Sequence, residues 1–240
     1  MKNLLFALFA LCAFGLSAQS PFSPKQRYLE AGIFFGAANY SGDLAERNIQ
    51  FKESHLGYGL HARYFLSRWV ALRAHFYAGS ISGNDANAKA PDTRERSFRF
   101  AADILEMGLG GEWHIFGKRR FSDDDEHPFA LSPYIYAGVG GTFSGTKVEY
   151  YGPPEDRDKH VVVPLPEVPR RQQFFVIPIG AGLRVNLNET VTVGLEGGFR
   201  PMLSDNLDGV RLNGNSEGND WYYFGGATVS FVLTKPKKRF

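Results

Sequence analysis

In eight successive stretches of the sequence the large apolar residues fall on one parity, while glycine and ionisable residues fill the other. From residue 191 to 200, Val191, Val193, Leu195 and Phe199 alternate with Thr192, Gly194, Glu196 and Arg200. Strand side chains alternate faces with period two, so each stretch is a strand with one greasy face and one ionised face. Eight such strands behind a secretion signal predict an all-β fold. It is an eight-stranded antiparallel up-and-down transmembrane barrel of the outer-membrane type, with a charged lumen filled by side chains.

The strands are expected at 28–38, 56–65, 69–80, 97–116, 133–145, 173–187, 190–202 and 220–233. Their lipid faces carry rows such as Leu105, Met107, Leu109, Trp113 and Ile115, or Phe175, Ile177, Ile179, Leu183, Val185 and Leu187. The opposite parity holds Glu30, Arg63, Arg73, Glu106, Glu112, Arg184, Glu196 and Arg200, together with His61, His75 and His114. Four glutamates stand against four arginines, as a narrow interior that cannot tolerate unpaired charge requires. Glycines on the same face leave room for those long side chains. A soluble barrel of the lipocalin kind would point its apolar face inward and cover its exterior with lysine. Here the polar face is glycine, arginine and glutamate, with almost no lysine inside the strands, which favours the membrane.

The ends of the chain fit this reading. Residues 1–19 read as a signal peptide, with Lys2 before an apolar run too short to span a bilayer and Ser17-Ala18-Gln19 as the cleavage zone. The barrel then occupies 20–240. Cys12, the only cysteine, falls inside the signal, so the barrel has no thiolate metal site or disulfide. A net charge of +2 offers no footprint for nucleic acid.

Short links at 66–68 and 188–189 alternate with long polar ones at 39–55, 81–96, 146–172 and 203–219. That asymmetry puts both termini and the short turns in the periplasm. The link 117–132 breaks the rule by its length, and it is dipolar: Lys118, Arg119 and Arg120 precede Asp123, Asp124, Asp125 and Glu126. With Arg68 on a neighbouring turn, these residues form the expected contact for a periplasmic protein partner. The link 146–172, with five prolines, is expected to be an irregular excursion.

No reactive constellation emerges. His61, His75 and His114 have lumen parity and suit a buried polar network better than catalysis on lipid, and consecutive carboxylates at 123–126 lack the spacing of a calcium loop. No cofactor and no metal are expected, and eight strands enclose too little space for a diffusive pore.

Several segments, in order along the chain, resemble a Bacteroidota family of small outer-membrane barrels, the PorG-like proteins associated with type IX secretion and gliding. They are Asn39-Tyr40-Ser41-Gly42-Asp43-Leu44, Arg68-Trp69-Val70-Ala71-Leu72-Arg73, Ser82-Gly83-Asn84-Asp85 and Asp103-Ile104-Leu105-Glu106. Ser132-Pro133-Tyr134-Ile135-Tyr136-Ala137-Gly138, Ile177-Pro178-Ile179-Gly180 and Asp220-Trp221-Tyr222 follow. The resemblance implies a non-enzymatic outer-membrane component, in contact with membrane lipid, that docks the periplasmic ring of the PorK lipoprotein and PorN. A lipid-modifying enzyme and a stand-alone surface or adhesin barrel are the alternatives.

Overall fold

The computed structural model describes residues 27–41, 53–88, 91–117, 120–121, 130–161, 165, 170–202, 207 and 221–235. The expected signal at 1–19, with Lys118, Arg119 and the acidic run 123–126, lies outside the described residues.

Nine strand segments build one antiparallel ring: β1 (Tyr28–Ser41), β2 (His55–Phe65), β3 (Val70–Asn84), β4 (Phe98–His114), β5 (Ala130–Tyr150), β6 (Arg170–Val176), β7 (Ile179–Asn186), β8 (Val191–Pro201) and β9 (Trp221–Thr234). Sequence neighbours pair, except that β6 and β7 both pair with β5 rather than with each other, and β9 closes on β1. β6 and β7 are two halves of one crossing. Both pair with β5 in a single register, Gly140 opposite Val176 and Ala137 opposite Ile179. Pro178, which has no N–H to donate, interrupts the ladder between them. The ring therefore has the eight crossings expected.

The register sets the barrel's shape. From Phe34 the cross-strand partners run through Gly59, Tyr77 and Glu106 to Thr142 on β5. In the other direction they run through Thr228, Gly194 and Arg184 to Ser132 on the same strand. The two walks end ten residues apart, the difference between 142 and 132. An eight-stranded barrel with that stagger tilts its strands by about 40° and has an interior that side chains fill.

The face assignment holds around the ring. Leu109 is 66% exposed, Leu195 63% and Phe35 61%, whereas Glu106 and Arg200 are at 0%. Large apolar residues outside and arginine inside invert the soluble pattern, and closure leaves no unpaired edge, so this is a transmembrane barrel of the outer-membrane type.

Several strands run longer than expected, β1 among them, which continues past 38 to Ser41. β3 continues past 80 to Asn84 and β5 continues past 145 to Tyr150. Residues 146–150 and 170–172 are thus strand rather than link. Between them lie a 3₁₀ turn at Pro154–Asp156 and a single helical turn at Arg157–His160. The link after β3 likewise holds a 3₁₀ turn, Asp85–Asn87, and a short helix, Pro91–Arg96.

The lumen also differs from expectation: among the described residues the glutamate–arginine network of the strands lies in the half nearest the termini, and at the far end buried Asp85 pairs with Arg96 at 3.0 Å. In the far half the inward residues form an apolar core that includes Tyr40, Ile81, Phe98, Phe100, Ile104 and Phe174. On the outer face of that half, Arg99, Asp103 and Lys147 replace the greasy rows. With about 3.3 Å per residue and a ~40° tilt, the stretch from Leu105 to Ile115 rises roughly 25 Å, the height of an outer-membrane barrel's apolar band. The remainder of β4 stands roughly 15 Å beyond it as a head with its own core.

Candidate functional site: the ionic lumen and its terminus-end mouth

Every lumen residue read from the sequence faces inward and is buried. Strand parity aims these side chains, and register decides which of them meet. Cross-strand pairing brings Arg63 opposite Arg73, and Arg73 opposite Gly110, two residues from Glu112. Glu112 Oε1 accepts from Arg63 Nε at 2.8 Å and Arg73 Nη1 at 3.0 Å. Arg73 also grips Glu196, with Nη2 to Oε1 at 2.6 Å and Nη1 to Oε2 at 3.0 Å. Glu196 takes three further hydrogen bonds, from Tyr77 at 2.6 Å, Tyr134 at 2.7 Å and Arg63 Nη2 at 3.1 Å. The Arg73 guanidinium lies 4.4 Å from the centroid of the Tyr136 ring. This middle layer is a fully interior two-by-two ion network.

Nearer the far end, Glu106 accepts from His75 Nε2 at 2.6 Å, from Arg200 Nε at 3.2 Å, and from the Tyr222 hydroxyl, which also meets Thr142. The glycines opposite these groups are required for space. A Cβ on Gly108 would lie 2.4 Å from the His75 ring, and one on Gly198 2.2 Å from the Tyr136 hydroxyl.

At the terminus end, Glu30 accepts from Arg184 at 2.6 Å and from Arg120 at 3.1 Å. Arg120 comes from the link 117–132 and is buried, so it is corrected from partner contact to lumen residue. Its guanidinium also donates to Asn186 Oδ1, Thr192 Oγ1 and the backbone carbonyls of Asn188 and Glu189. Burial pulls it below the usual arginine range, with Tyr28 and Glu30 opposing that pull and Arg184 adding to it. Phe121 packs edge-on against Tyr28 beside it. Of the other expected contact residues, Arg68 is exposed, its guanidinium over the Trp69 ring.

Sequence reasoning missed the tyrosines. Tyr77, Tyr134, Tyr136 and Tyr222 share the lumen parity, and that parity was the available signal. It also passed over one line of reactive types, Ser132 Oγ at 3.4 Å from His114 Nδ1 and His114 Nε2 at 3.4 Å from Glu112 Oε2. These contacts are long, all three residues are buried, and Glu112 is already engaged by two arginines. Among the described residues no group of histidine and acidic side chains could hold a metal ion.

A family model described as "Domain of unknown function (DUF6089)" matches residues 2–237. No curated protein matches the sequence. Among solved structures, Neisserial surface protein A is similar at 12% identity over 86% of this chain and 96% of its own, with a TM-score of 0.46. The attachment invasion locus protein Ail of Yersinia pestis, in complex with the heparin analogue sucrose octasulfate, is similar at 12% identity over 86% and 99%, with a TM-score of 0.44. The N-terminal barrel domain of Pseudomonas aeruginosa OprF is similar at 15% identity over 87% and 100%, with a TM-score of 0.42.

Proposed function

The chain belongs to the DUF6089 family, and we propose that this member is a non-enzymatic outer-membrane barrel that docks a periplasmic secretion ring of the PorK/PorN kind. The observation that carries this reading is the packed lumen. Its carboxylates and guanidinium groups are taken up by one another, by tyrosines and by histidines, and every member is buried. Such an interior passes no solute and offers lipid no reactive group, so function falls to the surfaces at the two ends.

With the termini in the periplasm, the surfaces facing that compartment are the turn at Arg68, the link 117–132, the turn at 188–189 and the segment after β9. Arg120 roots the link in the barrel, and the partner contact in this reading falls to Lys118, Arg119 and the acidic run 123–126 of the same link. Ring proteins as the partner follow from the resemblance to PorG-like barrels. Deleting 122–126, which spares Arg120, should leave the barrel folded while ring proteins no longer co-purify from gently solubilised outer membranes. Full recovery of the ring with the deleted protein would overturn the reading.

One observation favours a second reading, a stand-alone surface barrel: the head beyond the apolar band has a core of its own and a charged exterior. A lone barrel recovered in detergent that keeps the ring intact would favour it.

A further inference from the structure

The lipid-facing wall carries a depression that the ring's own packing does not explain. A groove of about 800 Å³ crosses it within the apolar band, floored by Gly111 on β4, Ala137 on β5, Ala181 on β7 and Gly197 on β8. Gly111 pairs with Ala137 and Ala181 with Gly197, while Ala137 lies diagonally beside Ala181. Val70, Trp113 and Ile135 stand on one side, and Ile179, Phe199 and Tyr223 on the other. That size and that apolar, aromatic lining are those of a ligand pocket.

The glycines of the two faces differ in what keeps them small. Inward, a Cβ on Gly110 would lie 2.4 Å from the Ala137 carbonyl oxygen, and one on Gly198 2.2 Å from the Tyr136 hydroxyl. Outward, a Cβ on Gly111 would meet nothing within 4 Å, and one on Gly197 only the Phe224 carbonyl oxygen at 3.9 Å. The barrel gains no packing from these two, and glycine inside a strand weakens it. What needs the space lies outside the chain.

Surroundings and shape choose the occupant. At this height the wall is bathed in hydrocarbon. The floor is one residue wide, because larger side chains flank it along each strand, Leu109 and Trp113 beside Gly111, and Leu195 and Phe199 beside Gly197. The flanking Cα atoms stand about 13 Å apart. With both side chains raised, the slot admits a single hydrocarbon chain, whereas a helix needs about 10–12 Å of clear width. The convex wall of a second barrel cannot reach the floor either.

A cation marks the terminus side. Val70 lies two residues after Arg68, whose exposed guanidinium is 5.1 Å from the Trp69 ring centroid and has no carboxylate partner among the described residues. Leu72, the cross-strand partner of Gly111, rises roughly 10 Å above Arg68 along the tilted strand. A lipid's phosphate is offset from the middle of its own acyl chain in the same sense.

We propose that the groove is a phospholipid site. One acyl chain lies along the floor from Gly111 to Gly197, and the phosphate of the same lipid, in the leaflet on the terminus side, pairs with Arg68. The site belongs to the wall and does not rest on the docking reading.

The purified, detergent-folded chain, stripped of lipid and titrated with palmitoyl-oleoyl phosphatidylglycerol, tests it by native mass spectrometry. Wild type should retain a single lipid. Gly111→Leu fills the floor without touching the ring and should bind about tenfold more weakly. Ala181→Leu repeats the test should Gly111→Leu not fold. Gly141→Leu, at an outward glycine outside the groove whose Cβ would meet only a carbonyl oxygen at 3.9 Å, should bind as wild type does. Arg68→Ala should bind about fivefold more weakly and lose the wild-type preference over phosphate-free diacylglycerol.

Wild-type binding in both floor variants, or equal weakening by Gly141→Leu, would overturn the groove. A wild type that takes diacylglycerol as tightly as phosphatidylglycerol would overturn the phosphate contact. A lipid-free dimer split by Gly111→Leu would make a second copy the occupant and overturn the lipid site. The assay contains no ring proteins, so the docking reading can fail without any of these results changing.

Discussion

β4 carries two opposite chemistries on one unbroken face. Its inward row reads Phe98, Phe100, Ala102 and Ile104, and then Glu106, Gly108, Gly110, Glu112 and His114. Its outward row reads Arg99, Ala101 and Asp103, and then Leu105, Met107, Leu109, Gly111 and Trp113. Inside and outside exchange hydropathy between Ile104 and Leu105 with no slip of register. The same exchange occurs on β3, where Phe76 and Ala78 give way to Ser80 and Ser82, and on β5, where Phe143 gives way to Gly145 and Lys147. Ser80, Asp103, Gly145 and Arg171 are successive cross-strand partners, so the exchange follows one row across four strands.

The solvent outside decides which chemistry is needed within. Where lipid surrounds the wall, the outer row must be apolar, and the interior is held by ion pairs and hydrogen bonds. Where water surrounds it, the outer row is polar, and the interior is held by the hydrophobic effect, as in a soluble domain. One wall, in one register, meets both conditions.

Substitutions on the two sides of this row should fail in different ways. Arg73→Leu leaves Glu196 and Glu112 to the single guanidinium of Arg63 and should cost about 4 kcal/mol in denaturant unfolding of the whole barrel. Adding Glu196→Leu should recover more of that loss than adding Glu112→Leu, because Arg73 makes two contacts with Glu196 and one with Glu112. Equal recovery would mean that the guanidinium is shared evenly. In the head, Phe100→Ala should cost about 3 kcal/mol through a cavity. That loss should be read mainly as faster hydrogen exchange in β3–β5 beyond Asp103, with protection of the lower ladder unchanged; uniform loss of protection would join the two halves into one cooperative unit. Leu109→Arg puts a charge on the lipid face at mid-height and should cost about 2 to 3 kcal/mol. Ala101→Arg, on the same face of the same strand, should stay within about 0.5 kcal/mol. Similar costs for both would erase the distinction between lipid-facing and water-facing wall.

Parity made the crossings, their order and the inward glutamates and arginines legible, because the pleat converts alternation directly into facing. The far ends of β3 and β5 were not legible. A single-phase reading stops where the phase inverts, and 80 and 145 are the expected ends of those strands and members of the exchange row. The pairing of Arg73 with Glu196 depends on a ten-residue stagger accumulated around the ring, which no local pattern contains. Arg120 was hidden for another reason. Within Lys118-Arg119-Arg120 it reads as one of a solvated cationic run, and only the acceptors waiting in the mouth single it out.

The central claim is that β3–β5 leave the lipid at the row through Ser80, Asp103 and Gly145 while keeping their facing. Quenching by brominated lipids of a fluorophore on single cysteines placed along β4, in a chain with Cys12 replaced, tests it directly. Strong quenching at 105, 107, 109 and 113, falling away at 103, 101 and 99, with 98, 100 and 102 unquenched throughout, is the predicted profile. Quenching that continues through 101 and 99, or that moves to 98, 100 and 102, would contradict it.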